Sequence, residues 1–174
     1  MQPMKRLLTI LTLTILCSHV LGQKSDPMYR DNAVNGIRFR DQETVEKVLG
    51  KGKNYLDRDD DETEVVNGDG KQLLTMIFYP GGTTNDFYAF KVEYNTKDLK
   101  PNLKIDTKDF VTAKKIKLGL TEIQVKSKLG TPSQTSTDNG LTIWRYEKKG
   151  DLYFGRYDFK DGRLIQFWFG DDYP

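Results

Sequence analysis

Two segments of the chain resemble each other, DQETVEKVLG at positions 41–50 and TEIQVKSKLG at positions 121–130. Each begins with a residue that can cap a helix, Asp41 or Thr121, and each ends with a glycine that can terminate one. Within each segment a valine and a leucine four residues apart share one helical face. Both segments therefore predict a two-turn helix with one apolar stripe, which is too short to be stable unless it packs on a larger element.

Runs of strand-forming residues follow each predicted helix. After the first helix come residues 73–79 and 86–94, and after the second come residues 141–147, 151–159 and 163–169. Glycine-rich or Asp-Gly turns separate these runs, as antiparallel hairpins require. A helix followed by antiparallel strands, twice over, predicts an α+β fold of two tandem repeats, each a short helix packed on an antiparallel sheet.

This reading divides the chain into four parts. Residues 1–22 are a signal peptide, and residues 23–96 are the first helix-plus-sheet repeat. Residues 97–115 are a connector that contains Pro101, and residues 116–174 are the second repeat.

The first residues are typical of a secretory signal peptide. Lys5 and Arg6 precede an apolar run from Leu7 to Cys17, and Val20-Leu21-Gly22 favours cleavage before Gln23. The apolar run is shorter than the roughly 20 residues of a membrane-spanning helix, so we expect no transmembrane segment in the mature chain. The predicted location is the periplasm or the medium. The alternative is an outer-membrane lipoprotein acylated at Cys17.

Cleavage removes the only cysteine, Cys17, and the only histidine, His19. A cysteine-free mature chain can form no disulfide, no typical zinc site and no histidine-assisted nucleophile. Loss of Lys5 and Arg6 reduces the 27 basic residues to 25, which equals the 25 acidic residues. A balanced charge gives no electrostatic footprint for nucleic acid. We therefore predict a protein that is not an enzyme and needs no cofactor or metal, with a carboxylate-based glycan hydrolase as the remaining enzymatic alternative.

The densest acidic run covers residues 57–64, DRDDDETE. A calcium loop of the EF-hand type would need glycine where Glu62 stands and glutamate where Gly68 stands, and neither is present. We interpret the run as a solvated loop inserted in the first repeat.

Strand alternation sorts the aromatic residues into two faces. The more apolar set should pack under the helices, and its members are Tyr88, Phe90, Val92, Tyr94, Tyr153, Tyr157, Phe159, Ile165, Phe167 and Phe169. The opposite set mixes aromatic and basic residues, a composition enriched where proteins bind one another. The candidate partner-binding residues are Tyr79, Phe87, Lys91, Arg145, Phe154, Arg156 and Trp168.

The residues around the second helix, LGLT at 118–121, Val125, LGTP at 129–132 and WRY at 144–146, carry a family resemblance. This pattern resembles beta-lactamase inhibitor proteins and the related SmpA/OmlA outer-membrane assembly lipoproteins, well over residues 116–169 and more faintly over 36–94. The resemblance implies a helix-covered sheet whose open face binds another protein, without catalysis. The inhibitors carry disulfides that this chain cannot form, and the lipoproteins carry a better-formed acylation motif than the one around Cys17.

Together these features predict an exported protein-binding module of the bacterial cell envelope, with an inhibitor-like role as one option. The alternative is a structural or assembly lipoprotein of the envelope that is tethered through Cys17. The identity of the protein partner is left open.

Overall fold

The computed structural model describes residues 28–51, 61–79 and 87–171. It contains two short helices, α1 (Gln42–Leu49) and α2 (Glu122–Leu129). The strands are β1 (Ala33–Val34), β2 (Ile37–Arg38), β3 (Glu62–Val66), β4 (Gln72–Phe78), β5 (Phe87–Tyr94), β6 (Leu103–Lys104), β7 (Gln134–Asp138), β8 (Leu141–Glu147), β9 (Tyr153–Lys160) and β10 (Arg163–Asp171). The fold is α+β and consists mostly of sheet.

Eight of the strands form one sheet in the order β6-β3-β4-β5-β10-β9-β8-β7, and β1 and β2 form a separate small hairpin. All neighbours in the large sheet are antiparallel except β6, which pairs with β3 in parallel. Strands that precede α2 make one half of the sheet and strands that follow it make the other. The halves join where β5 pairs with β10, from Gln166 opposite Glu93 to Gly170 opposite Ala89.

Both predicted helices are confirmed, and their caps explain where they begin. The Asp41 carboxylate accepts a hydrogen bond from the Thr44 N–H at 3.1 Å. Thr121 and Gln124 form a reciprocal capping box, in which each side chain bonds the backbone of the other residue. The valine–leucine stripes are buried in both helices, as Val45 and Leu49 in α1 and as Val125 and Leu129 in α2.

The core lies between the helices and one face of the sheet. Most of the predicted core residues belong to it, namely Phe90, Val92, Tyr153, Tyr157, Phe159, Phe167 and Phe169. The segment between the halves packs on the same face, because Phe110, Ile116 and Leu118 join this cluster with the helix residues. The helices, the connector and the apolar strand residues therefore enclose one core on one side of the sheet.

In β10, two strand-face predictions are wrong because a β-bulge interrupts alternation. The register of β10 against β9 shifts between Leu164 and Gln166, so Ile165 has no opposite partner there. Leu164, which strict alternation from Trp168 would place on the open face, is buried in the core, whereas Ile165, predicted for the core, is half-buried. Two residues of β5 predicted for the core also lie outside it. Tyr94 is 41% exposed where β5 ends, and Tyr88, at the register shift of β5 against β4, is half-buried.

The acidic run also differs from its predicted form. Its last residues belong to β3 rather than to a loop, because Glu62–Val66 pairs antiparallel with β4, and this pairing directs Thr63 and Val65 toward the core. Residues 57–60 of the run lie outside the described residues.

The predicted connector is tied to the first half of the sheet. Its residues Leu103–Lys104 form β6, and the Gln72 amide bonds the Asp109 carboxylate at 3.0 Å. Lys117 bonds the other oxygen of Asp109 at 2.8 Å, and this hydrogen bond holds the pKa of that carboxyl below its usual value. The connector is thus part of the folded structure.

The predicted signal peptide, with Cys17 and His19, lies outside the described residues. In the part of the chain that the structure describes, no helix is long and apolar enough to cross a membrane.

Candidate functional site

The face of the sheet that points away from the helices carries a row of directly paired side chains. We call this face the open face and this row the central row. From β3 to β7 the central row reads Glu64, Thr75, Lys91, Trp168, Arg156, Arg145 and Gln134. Since neighbouring strands lie about 4.8 Å apart, Lys91 and Arg145 are separated by about 14 Å along this row.

Aromatic surface lies at the middle of the central row. Trp168 is half-buried, and the ring of Phe154 meets it edge-on at 5.4 Å between centroids and 89° between planes. Phe154 of β9 stands opposite Gly170 of β10, and Gly170 stands opposite Ala89 of β5. Beside Phe154, the neighbouring strands β10 and β5 therefore carry only small residues. The indole and the phenyl ring therefore form one apolar patch flanked by cations.

Two of the three cations in the row have carboxylate partners. Lys91 bonds Glu93 at 2.8 Å, and Arg156 bonds Asp158 through two nitrogens at 2.8 and 3.0 Å. The hydrogen bonds from Arg156 to Asp158 raise the pKa of the guanidinium above its usual value. Arg145 is exposed and has no ion pair with any residue that the structure describes. Its guanidinium can therefore donate hydrogen bonds to a carboxylate of another molecule.

The indole nitrogen of Trp168 is a second unused group. Nε1 is buried, yet it has no hydrogen-bond acceptor among the described residues. A buried donor without an acceptor costs about 1–3 kcal/mol. The packing of Trp168 therefore leaves one of its polar groups unsatisfied.

The structure brings together five of the seven predicted site residues. Lys91, Trp168, Arg156 and Arg145 stand in the central row, and Phe154 contacts it. This agreement follows from strand alternation, which holds wherever β5, β8, β9 and β10 are regular.

Phe87 was predicted for the open face, and this prediction is wrong. Its side chain is 0% exposed and packs in the core, with ring centroids 5.7 Å from Phe78 and 5.4 Å from Phe90. The register of β4 against β5 shifts between Ile77 and Phe78, which turns Phe87 to the face opposite the expected one.

Tyr79 lies apart from the central row, just after the end of β4. Its hydroxyl donates a hydrogen bond to the Asp171 carbonyl at 3.1 Å, and its ring stacks on Tyr88 at 4.4 Å. These contacts hold Tyr79 at the end of the sheet, away from the central row.

Sequence reasoning missed the outer members of the row, Glu64 and Gln134, because β3 and β7 were not predicted. It also missed the carboxylates of Glu93 and Asp158, although both follow their basic partners by two residues. That spacing places the two charges on one face of a strand and could have indicated the pairs.

A second polar cluster lies at the end of the sheet that carries the start of β9. Asp31 is 3% exposed, and its carboxylate accepts hydrogen bonds from the Asn32 and Lys114 N–H groups at 3.1 Å each. Burial raises the pKa of Asp31 despite these bonds. The hydroxyl of Tyr153 accepts from the Asp31 N–H at 3.1 Å and donates to the Tyr29 carbonyl at 3.2 Å. These contacts anchor the segment before β1 to β9.

Metal binding has no support in the described residues, since they contain no group of three His, Cys, Asp or Glu side chains placed to hold an ion.

Comparison with known proteins leaves the family open. No family model matches the chain, and no curated protein matches it. Among solved structures, it is similar to a DUF4309 family protein (YjgB) from Bacillus subtilis subsp. subtilis str. 168. The identity is 9%, the TM-score is 0.42, and the match covers 75% of this chain and 78% of that chain. A TM-score this low supports no conclusion about shared fold or function.

Proposed function

We propose that this chain is an exported protein-binding module of the bacterial cell envelope, and that it binds another protein through the open face. The observation that carries the proposal is that Trp168, Phe154 and the exposed Arg145 lie together on the face of the sheet opposite the core cluster. Tryptophan and arginine are the side chains that most often dominate protein–protein binding energy.

The chemistry of the central row indicates the kind of surface that fits it. The partner presents an apolar side chain to Trp168 and Phe154, and a carboxylate to Arg145. Binding of such a surface removes the two rings from water and gives the Arg145 guanidinium a carboxylate partner.

The export part of the proposal rests on residues 1–22 alone. Lys5 and Arg6 before an apolar run of limited length support a cleaved secretory signal. Release into the periplasm or the medium follows from cleavage before Gln23, whereas acylation of Cys17 makes an envelope lipoprotein instead. The mass of the exported protein, together with labelling by a radioactive fatty acid, separates the two.

We also propose that the fold consists of two tandem repeats. In support, α1 precedes β3, β4 and β5, and α2 precedes the hairpin-connected strands β7 to β10. The last strand of each set lies at the centre of the sheet, where β5 pairs with β10. The likeness of residues 41–50 to 121–130 fits the same duplication, as does the family resemblance to beta-lactamase inhibitor proteins.

The proposal is tested by chemical crosslinking of the exported protein in the envelope, followed by affinity measurements on the identified partner. We expect Trp168→Ala and Arg145→Ala to remain folded and to lose at least tenfold in affinity, which corresponds to about 1.4 kcal/mol each. Ile123→Ala is the matched control, because Ile123 is 83% exposed on α2, in the layer on the other side of the sheet. Unchanged affinity in both open-face variants would refute the open face as the binding surface.

A further inference from the structure

Strand β7 forms one outer edge of the large sheet. It pairs with β8 on one side and with no other described strand, and all five of its residues are exposed. An edge strand offers unpaired backbone N–H and C=O groups to any strand that can align with it.

The turn beside β7 determines which backbone groups point outward. Asn139 and Gly140 link β7 to β8 with positive φ angles of 48° and 78°, the conformation of a two-residue type I′ hairpin. In such a hairpin the closing pair, Asp138 and Leu141, exchanges hydrogen bonds, and bonded pairs then alternate along the ladder. Ser136 and Gln134 therefore bond inward to β8, while the N–H and C=O groups of Thr135 and Thr137 face away from the sheet.

This edge lacks several of the features that usually prevent strand association. Its sequence, QTSTD, contains no proline and no lysine, and its pairing with β8 runs without a register shift from Gln134 to Asp138. At the opposite edge β6 has only two residues, and one of them is Lys104. Short strands, proline and lysine are the common protective features of an edge. One edge of the sheet is protected and the other is open.

The sequence of β7 is complementary to itself in one antiparallel register. With a two-fold axis at Ser136, Thr135 stands opposite Thr137 of the second copy, and Gln134 stands opposite Asp138 of the second copy. The two Thr–Thr pairs form from the outward-facing groups, which gives four backbone hydrogen bonds. The amide of Gln134 can donate to the carboxylate of Asp138, and no like charges meet. An axis at Thr135 would extend the pairing past Ser133, and an axis at Thr137 would extend it into the Asn139–Gly140 turn. The register at Ser136 therefore pairs the largest number of β7 residues.

We propose that β7 is a self-association edge, at which two copies of this chain join antiparallel about a two-fold axis at Ser136 to make one continuous sheet of sixteen strands. The contact is made by the edge of β7 and involves neither the helices nor the open face. Both open faces lie uncovered on the same side of the combined sheet. The contact is therefore independent of the proposed partner binding, and a failure of either proposal leaves the other in place.

The first test measures association of the purified protein by sedimentation velocity over a wide concentration range. The wild-type protein shifts from monomer to dimer as its concentration rises. Thr135→Pro removes an outward N–H without removing a bond to β8, so it weakens dimerisation at least tenfold. Ser136→Ala, which changes no backbone group, dimerises like the wild type. A monomer at every concentration, or equal association by a folded Thr135→Pro variant, overturns the proposal.

A second test keeps the proposal falsifiable if proline at position 135 disturbs folding. In a Cys17→Ser background, Ser136→Cys places two thiols on the two-fold axis as a non-hydrogen-bonded pair, where Cα atoms lie about 4.5 Å apart and a disulfide can form. We expect rapid disulfide-linked dimers at Ser136→Cys and slow ones at Ser127→Cys, an exposed position on α2. Equal rates at the two positions contradict the edge contact.

Discussion

Arg145 of β8 and Arg156 of β9 lie directly opposite each other on the open face. Like charges in this arrangement destabilise a sheet. Asp158 compensates Arg156 through two hydrogen bonds, whereas Arg145 has no such partner among the described residues. An unfavourable pair with one exposed member, Arg145, suits binding better than folding, since departures from local stability rules concentrate at functional positions.

Replacing Arg145 should therefore stabilise the fold while it weakens binding. Arg145→Gln removes the like-charge pair and is expected to raise the free energy of unfolding by a few tenths of a kcal/mol, up to about 1 kcal/mol. Urea denaturation measures this change. Arg156→Gln is the control with the opposite sign, because it leaves Asp158, 5% exposed on its side chain, without its partner. A loss of stability in Arg145→Gln would show that this guanidinium serves the fold.

Phe87 and Trp168 should respond differently to truncation, because the structure puts them on opposite faces of the sheet. Phe87→Ala creates a cavity in the core and is expected to cost about 3–5 kcal/mol of unfolding free energy. Trp168→Ala removes a half-buried ring and an unsatisfied indole N–H, so its cost is smaller. Equilibrium unfolding in urea compares the two. Equal losses would mean that Trp168 is a core residue and that the open face is misassigned.

Gly170 is the residue that lets the two halves of the sheet join closely. A Cβ added there would lie 2.3 Å from the Tyr88 carbonyl oxygen and 2.7 Å from the Ala89 Cβ. Since backbone cannot move aside cheaply, Gly170→Ala is expected to cost at least the roughly 1–3 kcal/mol typical of overpacking. Gly155→Ala is the control, because its nearest contact is a tyrosine side-chain atom at 3.2 Å. Thermal unfolding of both variants checks the order.

Three buried tyrosines predict a dependence of stability on alkaline pH. Burial raises the pKa of Tyr146 to about 12, and it raises the pKa of Tyr153 and Tyr157 above the usual value of 10.0 as well. Because the folded state holds these protons more tightly, their contribution to stability is complete below pH 10 and is lost as the pH rises through the folded-state pKa values. Phenolate absorbance at high pH measures their ionisation. Full ionisation of all tyrosines in the folded protein near pH 10 would contradict the burial.

The sequence predicted the helices and the regular strands because their signals are local. The caps at Asp41 and Thr121, and the glycines that follow, define each helix within ten residues. Alternation likewise sorted β9 correctly, and it identified Lys91, Arg145, Phe154, Arg156 and Trp168 as members of one face. The alignment of these residues in a row depends on the order of the strands in the sheet. That order is set by contacts between residues that are far apart in the sequence.

A β-bulge explains why Phe87 and Leu164 were misplaced. A bulge inserts a residue that has no opposite partner, and every residue beyond it changes face. This explains Phe87 beside the shift in β4–β5, and Leu164 beside the shift in β9–β10. The strands β3 and β7 were missed for another reason. Their polar residues carry little apolar alternation, and pairing with β4 and β8 stabilises them as strands.

The chain contains two tryptophans, and the sheet separates them: Trp144 is 7% exposed and belongs to the core cluster, whereas Trp168 stands on the open face. Their indole N–H signals in a ¹H–¹⁵N correlation spectrum therefore report on opposite sides of the sheet. Titration with the partner identified by crosslinking is expected to shift the Trp168 signal strongly, since the partner covers the exposed part of its ring, and to leave the Trp144 signal nearly unchanged. An unmoved Trp168 signal at saturating partner would contradict recognition through the open face.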